Sequence, residues 1–154
     1  MGQDKIMEVR AIENGTVIDH IPSDALFKII RIMGLDRDNE CRMTFGMNLE
    51  SKRMGTKAII KINDRYCRPE EINRIALVAP EAIVNTIRDY QVIEKRSVTV
   101  PERIEGFVRC INPKCITNNE PVETAFDVIR GEKGIALRCR YCEKITFGEQ
   151  MELK

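Results

Sequence analysis

Cys41-Arg-Met-Thr-Phe-Gly-Met-Asn-Leu-Glu50 alternates apolar and polar side chains throughout its length. Cys41, Met43, Phe45, Met47 and Leu49 fall on one side, and Arg42, Thr44, Gly46, Asn48 and Glu50 on the other. That period of two predicts a strand with one apolar face. Ala58–Ile62 reads as its partner, joined through Ser51-Lys-Arg-Met-Gly55. Amphipathic helices are predicted on both sides of this pair. One opens at Pro22-Ser23-Asp24, where Ser23 or Asp24 can cap free amides, and ends at Gly34. Its apolar stripe is Leu26, Ile29, Ile30 and Met33, a helical spacing. The other starts at Pro69-Glu-Glu71, buries Ile72, Ile75, Ala76 and Ala79, and stops at Pro80.

Short strands at 7–12 and 16–20 around Asn14-Gly15 precede the first helix, and 82–88 with 90–96 form a hairpin after the second. Helices interleaved with strands in this way predict an α+β sandwich, with a ferredoxin-like βαββαβ order for the N-terminal domain. That fold hosts many functions and identifies none.

Beyond Arg96-Ser-Val-Thr-Val-Pro101 the cysteine content changes, which divides the chain into domains 1–100 and 101–154. Four of the six cysteines form two hooks, Cys110-Ile-Asn-Pro-Lys-Cys115 and Cys139-Arg-Tyr-Cys142, with residues 116–138 between them. Two such hooks supply four thiolates, a tetrahedral set suited to one structural Zn2+ with no position left for water. Strands are expected at Ile104–Arg109, Ala125–Arg130, Gly134–Arg138 and Ile145–Phe147, with a turn at Gly131–Gly134, giving a small all-β, zinc-ribbon-like module. An iron–sulfur site fits the four-residue first spacer less well, and a redox Cys139-x-x-Cys142 lacks a surrounding βαβ pattern. Cys41 reads as a core thiol and Cys67 as a loop thiol.

Formal charge is +1, and the second domain carries nine basic and nine acidic side chains. Neither the charge nor the few aromatics of that domain favour nucleic acid, although a zinc-ribbon adaptor remains an alternative. The opening residues lack an apolar signal segment and no stretch is long enough to span a membrane, so a cytoplasmic protein is expected. One histidine, His20, and no GxSxG, Walker loop, GxGxxG or HExxH leave little basis for catalysis.

Gly15-Thr-Val-Ile-Asp-His-Ile-Pro22, Gly46-Met-Asn-Leu49, Met54-Gly-Thr-Lys57, Ile60-Lys-Ile62, Ala79-Pro80, Val84-Asn85, Pro101-Glu-Arg-Ile104, Cys110–Ile116, Glu120-Pro-Val122 and Leu137–Lys144 run in order along the chain. Together they resemble the regulatory chain of aspartate carbamoyltransferase. The resemblance implies a non-catalytic subunit whose N-terminal domain binds the effectors CTP and ATP and whose zinc domain docks on the catalytic chain. It further implies a regulatory homodimer within a dodecamer of two catalytic trimers and three regulatory dimers, giving feedback control of pyrimidine biosynthesis. The implied effector site is Arg10, Ala11, Ile12, Val17, Asp19, His20, Lys61, Asn85, Ile87, Tyr90, Val92 and Lys95; the implied metal ligands are Cys110, Cys115, Cys139 and Cys142. In it, Lys95 and His20 meet the triphosphate, Asp19 and Lys61 the ribose, and backbone near Ile12 and Tyr90 the base. Arg10 departs from the acidic residue the family can carry there. From the residues alone, Lys61 and Lys95 read as ordinary surface lysines and Asn85 as a polar residue on a strand face.

Overall fold

A computed structural model describes residues 11–38, 40–132 and 134–153. Two compact units divide between Thr99 and Val100.

In the first unit, β1 (Gly15–Ile21) leads into α1 (Leu26–Ile32), and the hairpin β2 (Met43–Ser51) and β3 (Gly55–Asn63) follows. Then come α2 (Pro69–Val78) and a second hairpin, β4 (Ile83–Arg88) and β5 (Gln91–Ser97). All neighbours in the sheet are antiparallel, in the order β2-β3-β1-β4-β5. The first four strands reproduce the ferredoxin-like arrangement, and β5 extends it beyond β4. The expected strand at 7–12 falls largely outside the described residues, and Ala11 and Ile12 lie in no strand.

The core forms where helix and strand periods agree. Ile18 and Ile21 of β1, Ile60 and Ile62 of β3, Leu26 and Ile29 of α1, and Ile75 of α2 are fully buried. Gly34 ends α1 in the left-handed region at φ 67°, where the N–H of Leu35 reaches the carbonyl of Ile30 and that of Gly34 reaches Arg31. This paired closure satisfies carbonyls that the helix end leaves open. The start of α1 differs from expectation. Residues 23–25 form a 3-10 turn with no side-chain cap, because Ser23 Oγ accepts the N–H of Asn48 instead. At α2, Glu71 Oε1 accepts the N–H of Arg68, and Pro69 occupies the first turn, where a missing N–H costs nothing.

The alternating stretch 41–50 does not bury an apolar face. β2 begins at Met43, it is an edge strand, and none of its residues is fully buried. Its register shifts between Gly46 and Leu49, with Asn48 left-handed at φ 59°, so the alternation is interrupted by a bulge. Cys41 precedes the strand and is half-buried, and is therefore not a core thiol.

The second unit carries a four-stranded antiparallel sheet in the order β10-β9-β8-β6: β6 (Arg103–Glu105), β8 (Ala125–Gly131), β9 (Gly134–Cys139) and β10 (Ile145–Phe147). The strand expected at Ile104–Arg109 is split. Gly106, at φ 91°, breaks it, and β7 (Val108–Arg109) leaves to pair with β11 (Glu152–Leu153). A side chain at Gly106 would also collide with Glu123. One helical turn, α3 (Ile116–Asn119), follows the first cysteine hook. Val108, Phe126 and Leu137 are the fully buried apolar anchors of this small core. The whole is mixed α+β, with an N-terminal helix-covered sheet and a C-terminal module that is nearly all β.

Candidate functional site

In the first unit, strand pairing assembles a row of side chains across four strands. Val17 of β1 is paired with Lys61 of β3 on one side and with Asn85 of β4 on the other. Asn85 is in turn paired with Lys95 of β5. Paired residues point to one face, so Lys61, Val17, Asn85 and Lys95 form a line across the sheet. The adjacent row, Ile60, Ile18 and Val84, is buried and belongs to the helix-covered face. The line therefore lies on the opposite face.

Two bulges adjust the line. The register of β1 shifts between Ile18 and Ile21, and His20 sits there in the left-handed region at φ 58°. One extra residue lets both Ile18 and Ile21 enter the core while Asp19, paired with Ile83, keeps the side of Val17. In β5, Thr86 pairs with Glu94 and Ile87 with Val92, so Ile93 is the extra residue. Val92 and Lys95 consequently share a face with Ile87 and Asn85.

The face changes character along β1. At one end Ile12, Val17 and Ile87 pack together with Ile59 against them. The loop carrying Ile12 is tied down there: the N–H of Tyr90 donates to the carbonyl of Glu13 at 2.9 Å, and that of Asp89 to Asn14 Oδ1 at 3.2 Å. Asp89 and Tyr90 form the tight turn of the β4–β5 hairpin with φ 52° and 66°. A positive φ at a bulky tyrosine is uncommon and costly. At the other end Asp19 Oδ1 accepts the N–H of His20 at 2.7 Å and lies 2.9 Å from Lys57 Nζ. The Nδ1 of His20 is buried, 3.7 Å from the same carboxylate oxygen, and without a hydrogen-bond partner among the described residues. Burial pushes the Lys61 amine down from its ordinary value, and the Asp19 carboxylate partly opposes this.

Of the expected effector residues, Ile12, Val17, Asp19, His20, Lys61, Asn85, Ile87, Val92 and Lys95 are thus gathered by the pairing of four strands and one crossing loop. Ala11 and Tyr90 are exposed beside it, and Arg10 lies outside the described residues. Lys57 was not singled out by sequence, although positions 57, 59 and 61 share one face of β3 by simple alternation. Its ion pair with Asp19 makes it part of the cluster.

In the second unit the four hook cysteines converge, their sulfurs all within 4.8 Å of one another. Cys110 and Cys142 are 3.6 Å apart, and Cys115 and Cys139 are 3.7 Å apart. A tetrahedron with metal–sulfur bonds of about 2.3 Å requires sulfur–sulfur separations of about 3.8 Å. The donor set and its geometry therefore fit a four-coordinate ion, without a vacant position for substrate. Burial pushes the thiols of Cys110 and Cys139 up. Against burial, the Lys144 N–H and the Asn112 side chain hold Cys142 down at about 7. Holding all four as thiolates thus calls for a compensating cation.

The family described as aspartate carbamoyltransferase regulatory chain, allosteric domain, matches residues 7–99, and the metal binding domain of the same chain matches residues 102–152. The chain belongs to the aspartate carbamoyltransferase regulatory chain family. Relatives of that name include one from Porphyromonas gingivalis, 54% identical over 96% of each chain. The Phocaeicola vulgatus regulatory chain is 52% identical over 96% of this chain and 94% of its own length, and that of Pyrococcus abyssi is 49% identical over 94% and 95%.

As a regulatory chain it is a non-catalytic subunit, with an allosteric domain holding the sheet-face cluster and a metal-binding domain holding the cysteines. Its partner is the catalytic chain. Large apolar side chains remain exposed on the metal-binding domain at Ile111, Ile116, Tyr141, Ile145 and Phe147. The first three lie within or beside the two hooks, so the metal-binding loops and this apolar surface are continuous in sequence. No helix among the described residues is long and apolar enough to cross a membrane.

Proposed function

We propose that this regulatory chain binds the nucleotide effectors CTP and ATP on the helix-free face of its first sheet and thereby adjusts the activity of aspartate carbamoyltransferase. The observation that carries the reading is the line Lys61–Val17–Asn85–Lys95, flanked by an apolar end and a polar end. A nucleotide has the same sequence of chemistries. Ile12, Val17 and Ile87 offer an apolar bed for a base, and backbone groups of the Ile12 loop and the Tyr90 turn can read its edge. The Tyr90 N–H is already committed to Glu13, so at that turn a carbonyl is left to accept from an amino-bearing base. Asp19 and Lys61 suit ribose hydroxyls. Lys95 and His20 suit the triphosphate, lysine being a compact cation and His20 having an unpartnered ring nitrogen. Lys57 joins them by releasing Asp19 when phosphate arrives.

The metal is proposed to be one structural Zn2+ held by Cys110, Cys115, Cys139 and Cys142. The ion supplies a cross-link between the two hooks, which the small core of this unit lacks by itself. Four reduced thiolates suit a reducing compartment, hence the cytoplasm. The exposed apolar residues around the hooks support docking on the catalytic chain. Phe27 and Phe45, stacked edge to face at 6.0 Å and exposed beside the open edge of β2, support a homodimer of regulatory chains. Such dimers would join two catalytic trimers through three regulatory dimers, so that effector binding acts by favouring one of two states of the assembly. CTP inhibition would then be end-product feedback on pyrimidine synthesis.

Calorimetric titration of the metal-loaded chain with CTP and with ATP, alongside Lys95→Ala, tests the effector site. Saturable binding that the substitution weakens by about tenfold or more is expected, the range of a lost hydrogen bond to a charged group. Equal binding by both proteins would overturn the placement.

A further inference from the structure

We propose that the side-chain hydroxyl of Thr117 is a positioning group for the bound metal, holding the Cys115 thiolate in place by a buried hydrogen bond. This rests on the reading that the four cysteines hold a metal ion.

At the second hook, Cys139 Sγ accepts the N–H of Tyr141, the residue two positions further on, at 3.4 Å. At Cys115 the residue two positions on is Thr117, and there the donor is its hydroxyl, with Oγ1 3.2 Å from Sγ. The local backbone explains the change. Cys115 is the extended residue just before the helical turn α3, and the chain winds on at once, with the Asn118 N–H taken by the Cys115 carbonyl. Among the residues of α3, Thr117 alone is buried. Its neighbours have other work: Asn118 Nδ2 clamps the carbonyls of Cys110 and Asn112, and Asn119 Nδ2 those of Pro113 and Cys115. The hook is thus fastened from one side, and Thr117 is the residue aimed at the sulfurs.

The electrostatics make this hydroxyl consequential. Four thiolates around a dication carry two excess negative charges, and Cys115 is only 2% exposed, so water cannot share that charge. A buried donor to sulfur lowers the electron density offered to the metal and fixes the sulfur's lone-pair direction. Such outer contacts typically change metal affinity about 10–100-fold when removed. Among the described residues the Thr117 side chain makes no other hydrogen bond, so the group has one role to lose.

The test compares the full chain with Thr117→Val, Thr117→Ser and Thr117→Ala. Transfer of zinc to a chromogenic chelator measures retention, and Co2+ in place of zinc gives a sulfur-to-cobalt charge-transfer band that reports the thiolates directly. Thr117→Val is expected to bind metal about tenfold more weakly and to move the cobalt band to lower energy, and Thr117→Ser to restore both. Thr117→Val that matches the parent in affinity and band position overturns the proposal. So does Thr117→Ser that is no better than Thr117→Ala, since the site would then need only the threonine's volume. This last comparison still decides the matter if Thr117→Val does not fold. A parent chain that shows no cobalt–thiolate band removes the metal reading itself, which is a different result from an unaffected variant.

Discussion

Val92 and Lys95 project from the same face of the first sheet although an odd number of positions separates them, because Ile93 is an extra residue opposite β4. A regular strand would place them on opposite faces. The bulge therefore brings the lysine proposed to meet phosphate onto the face of Asn85 and Val17.

Shifting that register is the sharpest test of the face. Deleting Ile93 removes the bulge while leaving Val92 opposite Ile87 and Lys95 opposite Asn85, so CTP binding is expected to survive within a few-fold. Inserting one alanine between Glu94 and Lys95 instead turns the lysine to the helix-covered side. That insertion should weaken binding as much as Lys95→Ala does. Equal affinities for the two length variants, read by calorimetry, would sink the assignment of Lys95 to the site.

The same bulges mark the limit of what alternation can reveal. Both helices of the first unit were legible, since Leu26, Ile29, Ile30 and Met33 keep a strict spacing and Gly34 and Pro80 punctuate the ends. The cysteine hooks were legible because ligand spacing is written along the chain. The apolar face of 41–50 was not, because a left-handed Asn48 and an edge position undo a pattern that reads as half-buried. Likewise the split at Gly106 depends on a distant partner, β11, that no local window contains. For the proposed effector face, the residue types came from family resemblance, whereas their alignment in one row came only from pairing. Lys57 was missed although its spacing from Lys61 was visible, because an exposed lysine on a strand carries no signal until Asp19 is placed beside it.

Glu71 is a buried carboxylate held at both oxygens. Its Oε1 takes the Arg68 N–H at 3.0 Å, and its Oε2 lies 2.7 Å from Arg65 Nη2, which also reaches the Met33 carbonyl at 2.7 Å. Burial alone would raise its pKa, but the Arg68 N–H and the Arg65 guanidinium prevail and hold it below the ordinary value. A depressed folded-state pKa contributes stability above the unfolded value of about 4.3, and that contribution is lost as pH falls through the folded-state value. Glu71→Gln should therefore cost about 1.5–3 kcal/mol at pH 7 by chemical denaturation, the range for hydrogen bonds to a charged group. The difference from the parent should shrink below about pH 4. A constant difference down to acid pH would mean that charge is not the source.

Lys61 shows the opposite balance. It is buried, and burial pushes its pKa down more than Asp19 pushes it up. For a lysine lowered in the folded state, the unfolded chain binds more protons, so stability rises with pH between the folded value and about 10.4. Lys61→Met should remove that rise and stabilise the effector-free chain at pH 7 by about 0.5–2 kcal/mol, as exchanges at functional sites often do. The same variant should lose CTP affinity. Stability unchanged at every pH would show that the amine is solvated after all.

Metal removal should separate the two units. The second has few fully buried apolar anchors, with Val108, Phe126 and Leu137 foremost, and small cores of this kind rarely hold without a cross-link. Structural zinc contributes about 10–16 kcal/mol in comparable small sites, more than such a core can replace. Chelation is therefore expected to open residues 100–154 to protease while the sheet of the first unit stays resistant. Acid should act in the same direction, since burial raises the Cys110 and Cys139 thiols and protons compete well for those sulfurs. The stripped chain should keep its affinity for CTP, whose proposed ligands all precede Thr99, and lose its capacity to bind the catalytic chain. If stripped protein resisted protease throughout, the four cysteines would be dispensable for folding, and the apolar surface around them would have to be held by the protein core alone.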